Sequence, residues 1–287
     1  MANEVTSAAL SAGELIAAEI VSRLVIDAAY ADSVMPPLVR LADISGDSTL
    51  TVDFPKWPEL TASDLTEATD MSNTAVNTTS TSITADEAGI MITVTDMLLN
   101  SSVLGGLEPY AAELGKSLAN KIDSDLLFAV SSFTNTVGTT GVAITETNFL
   151  EALYTLELGN ASGPFAAVLH PKQVHDLRTA LAATTGAVWG GASAPAGDIG
   201  AMASLYGVDI FQSTNCASVN VNVDRQGVMM PMGNQSGLAF VLKTGAKTEL
   251  QRDASLRATE LVVTAVYGHG CVNSDAGGGV KIITAHE

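Results

Sequence analysis

Charged residues are scarce in this chain of 287 residues, and basic residues are the scarcest of them. Charged residues make up 15% of the sequence, where about a quarter is usual. The 13 Lys and Arg residues stand against 31 Asp and Glu residues and include no run of three. Proteins that bind nucleic-acid phosphates carry clusters of basic residues. The net charge of −18 therefore argues against direct DNA or RNA binding. The low charge also indicates that much of the surface faces protein.

Cysteines and long apolar runs are equally rare. The two cysteines, Cys216 and Cys271, form no CxxC pattern. Two free thiols are favoured over one disulfide for a protein made in a reducing compartment. No stretch reaches the roughly 18 uncharged apolar residues of a membrane span. The start of the sequence lacks the basic region of a signal peptide. We therefore expect no membrane partner and synthesis in the cytoplasm.

Motifs that carry chemistry are incomplete. Gly115-Lys116-Ser117 lacks the upstream glycine and the preceding strand of a phosphate-binding loop, and it falls within a predicted helix. Ser193 lacks the closing glycine of a nucleophile elbow. His269 and Cys271 would point to one side of a strand, but a zinc site takes three or four ligands. We expect no catalytic, cofactor or metal site, although groups distant in sequence could still converge.

The longest regular pattern is helical. Hydrophobic residues make up 47% of the chain, enough for a sizeable core. Apolar residues recur every three to four positions from Leu107 to Phe133, which predicts a helix about 40 Å long. A shorter amphipathic pattern predicts a helix over residues 7–30.

The remaining elements are short and of mixed type. We expect helices from an N-cap at Thr147 to Leu158 and from Pro171 to Leu181, and a mobile loop over residues 184–204. Strands are predicted over 165–169, 208–211, 237–243 and 280–283, and an extended strand over most of 248–272, although 254–260 could be helical. Without regular alternation of strand and helix, the fold class is α+β.

Residues 48–95 form a long excursion with little to bury. It opens with Leu50, Val52 and Phe54 alternating with polar residues and closes with the strand pattern of residues 89–95. The tract between them is rich in Thr, Ser, Asn, Asp and Glu. An isolated two-stranded hairpin is marginal in water. We therefore expect a second copy of the protein to hold this excursion in place.

The order of these elements resembles the major capsid proteins of tailed bacteriophages, the Hong Kong 97 fold. The local pieces that carry the resemblance are Ala167-Val168-Leu169-His170-Pro171, Leu205-Tyr206-Gly207-Val208-Asp209-Ile210-Phe211, and Val263 to Gly268 continued by Gly279 to Ile283. The resemblance covers nearly the whole chain. It implies an N-terminal arm and lead-in over 1–44, an E-loop over 45–98, a peripheral domain with the spine helix over 99–139 and 243–271, and an axial domain over 140–242 and 272–287.

In this family the E-loop lies across a neighbouring subunit. The resemblance therefore implies intersubunit contacts for the apolar residues of the excursion: Leu50, Val52, Phe54, Trp57, Ile90, Ile92 and Val94. It implies a non-catalytic major capsid protein whose hexamers and pentamers form an icosahedral shell around packaged double-stranded DNA, which lies nearby without specific binding. A portal and a separate scaffolding protein are the implied partners. The protein would be located in the virion and assembled in the host bacterial cytoplasm.

Three other functions fit parts of the sequence. An encapsulin-type shell subunit would share the fold and enclose a protein cargo. An adhesin or surface-layer protein would account for the acidity and the Thr and Ser content, but it needs an export signal. A soluble hydrolase without a recognisable motif would show activity in a broad ester and phosphate screen.

Overall fold

The computed structural model describes residues 23, 25–26, 33–58, 60–62, 64–65, 67, 70, 73, 75–101, 108–185, 201–221 and 223–285. They form a mixed fold of helices and strands, which confirms the α+β class. The helices are α1 Asp96–Ser101, α2 Glu108–Ala129, α3 Glu146–Leu158 and α4 Pro171–Thr185. The strands are β1 Arg40–Asp43, β2 Thr51–Lys56, β3 Thr79–Thr84, β4 Asp86–Thr95, β5 Thr136–Val137, β6 Phe165–Leu169, β7 Ala201–Leu205, β8 Val208–Gln212, β9 Ser218–Val219, β10 Asp224–Pro231, β11 Leu238–Asp253, β12 Ala258–Cys271 and β13 Val280–Ala285.

The strands form three sheets. A four-stranded sheet has the order β1-β11-β12-β4, with β1 parallel to β11 and the other neighbours antiparallel. A seven-stranded sheet has the order β5-β13-β10-β6-β8-β7, with β9 paired to β10. The third sheet is the antiparallel pair β2-β3.

The four-stranded sheet packs against α2. The helix buries Leu114, Leu118 and Leu126, which belong to the same apolar cluster as Leu261 and Val263 of β12. Burial of such a side chain contributes about 1.5–3 kcal/mol. The predicted long helix is confirmed, with its last turn, Val130–Ser132, tightened to a 3-10 helix.

Helices α3 and α4 cover one face of the seven-stranded sheet. Phe149 and Leu156 of α3 and Leu177 of α4 are fully buried there. The buried Gln173 links α4 to the sheet: its amide nitrogen donates to Thr284 Oγ1 at 2.8 Å, and its amide oxygen accepts from the His170 backbone N–H at 2.9 Å. A polar group buried without partners would destabilise the sheet, so these bonds fix the position of the helix.

Several local predictions are wrong in detail. Helix α3 is capped by Thr145, whose side chain accepts from the Asn148 N–H at 3.3 Å, and not by Thr147. Residues 248–272 do not form one strand, because the chain reverses between β11 and β12. The helical alternative for 254–260 is also wrong, since residues 254–257 form the turn of that hairpin.

The structure adds strands where none was predicted. Strand β10 is central to the seven-stranded sheet, and β7 occupies the end of the predicted loop over 184–204. The rest of that loop, residues 186–200, lies outside the described residues. The predicted helix over 7–30 also lies outside them, except for Arg23, Val25 and Ile26, which are helical.

Candidate assembly interface

The excursion contains an antiparallel ribbon made of β2, β3 and the described residues that connect them. Its pairs run from Thr51 opposite Thr84 to Lys56 opposite Thr79. The sequence predicted that residues 89–95 belong to this hairpin, but they lie in β4, which pairs with β12 over ten residues. The partner of β2 is instead a Thr/Ser strand within the polar tract. Its Ile83 is buried, and β-branched residues favour extended structure.

The base of the ribbon is fixed to the four-stranded sheet by a small apolar cluster. Phe54 and Ile83 of the ribbon pack with Ile44, Ala239 and Val241. The Arg40 guanidinium lies 4.9 Å from the centroid of the Phe54 ring, a cation–π arrangement. This cluster is separate from the two main cores, so it sets the position of the ribbon without being part of either.

Two glycines of β12 make room for the ribbon. A Cβ atom at Gly268 would lie 2.7 Å from the Thr84 carbonyl oxygen and 3.1 Å from Ile83 Cγ2. A Cβ atom at Gly270 would lie 3.1 Å from Ile83 Cδ1. The close approach of Ile83 to the β12 backbone therefore requires residues without side chains at these positions.

A polar contact fixes the end of β2. The Lys56 ammonium donates to Asn273 Oδ1 at 3.1 Å and forms an ion pair with Asp275. Both partners lie between β12 and β13, so Lys56 links the ribbon to the segment that leads into the seven-stranded sheet. The pair is partly exposed and adds orientation more than stability.

Beyond its base the ribbon exposes large apolar side chains. Trp57 is 71% exposed and Leu65 is 67% exposed, and Leu60 and Val76 are also on the surface. Large exposed apolar groups concentrated in one segment of the chain are typical of a surface that binds protein. The arrangement can therefore make contacts with another protein surface.

The seven residues predicted for intersubunit contact divide into three groups. Leu50 and Trp57 are exposed. Val52 and Phe54 pack in the cluster at the ribbon base. The other three lie in β4: Ile90 and Ile92 pack against the main core, and Val94 is buried. The structure thus brings Val52 and Phe54 together with Ile83, which sequence reasoning missed. The sequence pattern that could have revealed Ile83 is the regular alternation of Thr and Ser around it.

A buried carboxylate fixes the segment that leads into β1. Asp123 of α2 accepts hydrogen bonds from the backbone N–H groups of Val34 at 2.9 Å and Met35 at 3.0 Å. Burial raises the pKa of Asp123 above its usual 3.8, and the two hydrogen bonds partly oppose this shift. The charge of Asp123 therefore serves to hold two backbone amides against the spine helix.

The described residues show no metal centre and no spanning helix. Among them no three His, Cys, Asp or Glu side chains are grouped to hold a metal ion. Within the same residues no helix is long and apolar enough to cross a membrane. Both cysteines are free, as predicted, and burial raises the pKa of the Cys216 thiol to about 12.

Solved structures of a phage capsid and of an encapsulin share this fold. A chain of Mycobacterium phage Che8 is similar with a TM-score of 0.62 and 22% identity, covering 81% of this chain and 84% of that one. The capsid structure of cyanophage P-SCSP1u has a TM-score of 0.65 and 14% identity over 89% of both chains. The holo-SrpI encapsulin complex from Synechococcus elongatus has a TM-score of 0.64 and 9% identity, covering 86% of this chain and 85% of that one. These similarities confirm the Hong Kong 97 type of fold.

The family is shown by sequence. The family model described as phage capsid protein matches residues 60–282, and the chain belongs to this family. It is a structural protein of the phage capsid, where many copies form the shell. No curated protein matches the chain at the sequence level.

Proposed function

We propose that the chain is the major capsid protein of a tailed phage and that it forms an icosahedral shell around packaged double-stranded DNA. The observation that carries the proposal is the ribbon, a two-stranded sheet apart from the two larger sheets, which exposes Trp57, Leu60, Leu65 and Val76. Soluble monomers rarely expose so much apolar surface in one segment, whereas a shell subunit covers such a surface with a neighbouring copy. The ribbon corresponds to the E-loop of the resemblance.

The division of the chain follows the sheets. We assign residues 1–44 to the N-terminal arm and lead-in, 45–98 to the E-loop, 99–139 and 243–271 to the peripheral domain, and 140–242 and 272–287 to the axial domain. The spine helix α2 and the four-stranded sheet support the peripheral domain. The seven-stranded sheet supports the axial domain, which would surround the centres of hexamers and pentamers. Strand β4 belongs to the peripheral sheet, although the boundary at residue 98 places it with the E-loop.

Charge supports a shell that does not bind its DNA. The net charge of −18 repels a polyanion and lets it slide past the wall. A portal and a separate scaffolding protein complete the assembly in this proposal, which takes place in the host bacterial cytoplasm. No catalytic step is required.

The first experiment examines the particles. The chain is expressed with and without the other virion genes, and products are analysed by sedimentation and electron microscopy. We expect closed icosahedral particles of megadalton mass. Only monomers or dimers under every condition would contradict the proposal.

The second experiment removes the exposed part of the ribbon. Replacing residues 60–76 by a short Gly/Ser linker leaves Phe54 and Ile83 in place, so the subunit should keep its unfolding transition. We expect shell formation to be lost or strongly reduced. The control replaces exposed Val221, which lies between β9 and β10, by Ser. Normal shells from the linker variant would refute the E-loop assignment.

An encapsulin-type compartment is the second candidate. The similarity to the SrpI encapsulin complex favours it to the same degree as fold similarity favours a phage. Native particles distinguish the two functions by their contents. DNA inside supports the capsid, and a folded protein cargo without DNA supports the encapsulin.

A further inference from the structure

The four-stranded sheet has two open edges, and only one of them is protected. Strand β1 pairs with β11 only over Ala239 to Leu242, so residues 244–253 of β11 have no second partner among the described residues. Strand β4 pairs with β12 along all ten of its residues and has no described strand on its other side. Every second residue of an edge strand directs its N–H and C=O away from the sheet, which makes such an edge a template for another chain.

The free part of β11 carries the usual protection against pairing. Its register with β12 shifts twice, between Leu242 and Thr244 and between Thr244 and Lys247. It also carries Lys247 and Arg252. Irregular register and basic side chains both prevent an edge from receiving a further strand.

Strand β4 has none of this protection. Its sequence, DEAGIMITVT, contains no Lys, Arg or Pro, and its register is continuous. The acidic residues stand at its start, and the eight residues that follow carry no charge. Met91 is 57% exposed on one face of the strand, and Ile90 and Ile92 on the other face are only partly buried. An uncharged, regular and apolar edge of this length is expected to aggregate unless an assembly covers it.

A groove runs along this edge. It has a volume of about 440 Å³ and is lined by the four consecutive residues Glu87, Ala88, Gly89 and Ile90 and by Ser117, Leu118 and Lys121 of α2. Consecutive strand residues point to opposite faces, so a groove that contacts all four follows the backbone edge and not one face. The side chains of an added strand would enter this space between the edge and α2.

The same chain carries a segment that fits the edge. Strands β2 and β3 pair with each other on one side only, and neither has a further described partner. Each has six residues, which span about 20 Å, within the length of β4. The ribbon also supplies the exposed Trp57 and Val76 as apolar groups for the groove. Two different surfaces of one chain that fit each other give a head-to-tail contact, which closes rings of copies.

We propose that the edge of β4, with the groove beside α2, receives the ribbon of an adjacent copy by β-strand addition. This inference rests on the proposed function and names the surface that the ribbon binds. Backbone hydrogen bonds supply the pairing, and the groove selects apolar side chains of the ribbon.

The test uses two substitutions that are matched in the free subunit. Thr93 on β4 and Gln251 on β11 are both exposed and both lie opposite Glu260 of β12. Thr93→Lys and Gln251→Lys therefore place the same charge beside the same carboxylate, and both should keep the unfolding midpoint of the wild type. We expect Thr93→Lys to lower the yield of shells about ten-fold or more, because a lysine on an edge strand opposes pairing. Gln251→Lys should assemble normally.

A cross-linking experiment identifies the bound segment. A photoreactive amino acid replaces Met91, and isotope-labelled and unlabelled subunits are mixed before assembly. We expect mixed-label cross-links to peptides within residues 51–84. Cross-links to another segment, or only within one copy, would overturn the inference.

The outcomes separate this inference from the function on which it rests. If the linker variant of residues 60–76 fails to assemble while Thr93→Lys assembles like Gln251→Lys, the β4 edge is not the receiving surface and the ribbon assignment stands. If both the linker variant and Thr93→Lys form normal shells, the E-loop assignment of the ribbon and the β4 inference are both wrong, while the shell function stands. Loss of shells in both variants, with cross-links from Met91 to the ribbon, supports both.

Discussion

At the scale of single residues, Asp123 connects the spine helix to the segment before β1. Its carboxylate accepts from two backbone N–H groups, those of Val34 and Met35. A buried charge that lost these donors would be costly, so the segment and the helix order each other. The polar residue inside an apolar cluster thus fixes where the chain enters the four-stranded sheet.

Asp123→Asn should lower the free energy of unfolding by about 2 kcal/mol, because the amide nitrogen that replaces one oxygen cannot accept a hydrogen bond. Denaturant titration of the unassembled chain measures this loss. Glu113→Gln on the exposed face of the same helix is the control and should change little. Equal stability of wild type and Asp123→Asn would show that the two amides do not depend on the carboxylate.

The stability difference between wild type and Asp123→Asn should depend on pH. The pKa of Asp123 is raised above 3.8, so the folded state binds a proton more tightly than the unfolded state. This contribution to stability is complete below pH 3.8 and is lost as pH rises through the folded pKa. The free energy of unfolding of wild type relative to Asp123→Asn should therefore fall as pH rises from 3.8 through the folded pKa of Asp123. The stability difference for Glu113→Gln should not follow the same curve.

At the scale of elements, the position of the ribbon on β12 depends on small residues. Gly268 and Gly270 lie opposite Val241 and Ala239 of β11, near the end of a strand that contains three valines. They let Ile83 and the Thr84 carbonyl reach the β12 backbone. The small apolar cluster at the base of the ribbon therefore depends on the absence of side chains at Gly268 and Gly270.

Gly268→Ala should displace the base of the ribbon. The new Cβ would stand 2.7 Å from the Thr84 oxygen, and relieving this overlap costs about 1–3 kcal/mol. We expect a lower midpoint in denaturant and poorer shell formation. Gly245→Ala on β11 is the matched control, since nothing lies within 4 Å of its Cβ position. If both variants behave alike, the ribbon does not rest on Gly268.

The elements also show what the sequence could predict. Helix α2 was predictable because its apolar spacing holds over 22 residues. Strand β10 was not, because its apolar run is only three residues long, between Gly227 and Pro231. Its place is set by pairing with β6 and β13, which are distant in the chain. The excursion was predictable because its polar composition is a property of that segment alone. The partner of β2 was misassigned, because strand pairing is decided by packing on β12 and not by either strand alone.

At the scale of the whole molecule, charge opposes assembly. Each subunit carries a net charge of −18, so copies repel each other before apolar contacts form. The contacts between copies must therefore be short-ranged, as strand addition and apolar burial are. Salt should favour the assembled state.

Raising the salt concentration from about 0.01 M to about 0.15 M shortens the screening length from about 30 Å to about 8 Å. We expect a higher yield and rate of shell formation, measured by light scattering. NaCl and MgCl2 at equal ionic strength should act alike if screening is the cause. A yield that falls with salt would instead indicate that ion pairs between copies drive assembly.

The position of β13 determines when, during translation, a subunit can complete its seven-stranded sheet. Strand β13, the last strand described, lies between β5 and β10 in the seven-stranded sheet. This sheet cannot close until translation has passed residue 285, about 150 residues after β5 is made. The four-stranded sheet likewise cannot form completely until β12, which lies between β11 and β4, has been made. A chain whose translation has not yet passed residue 285 therefore lacks the strand that joins β5 to β10, and we expect it to be unable to take its place in a shell.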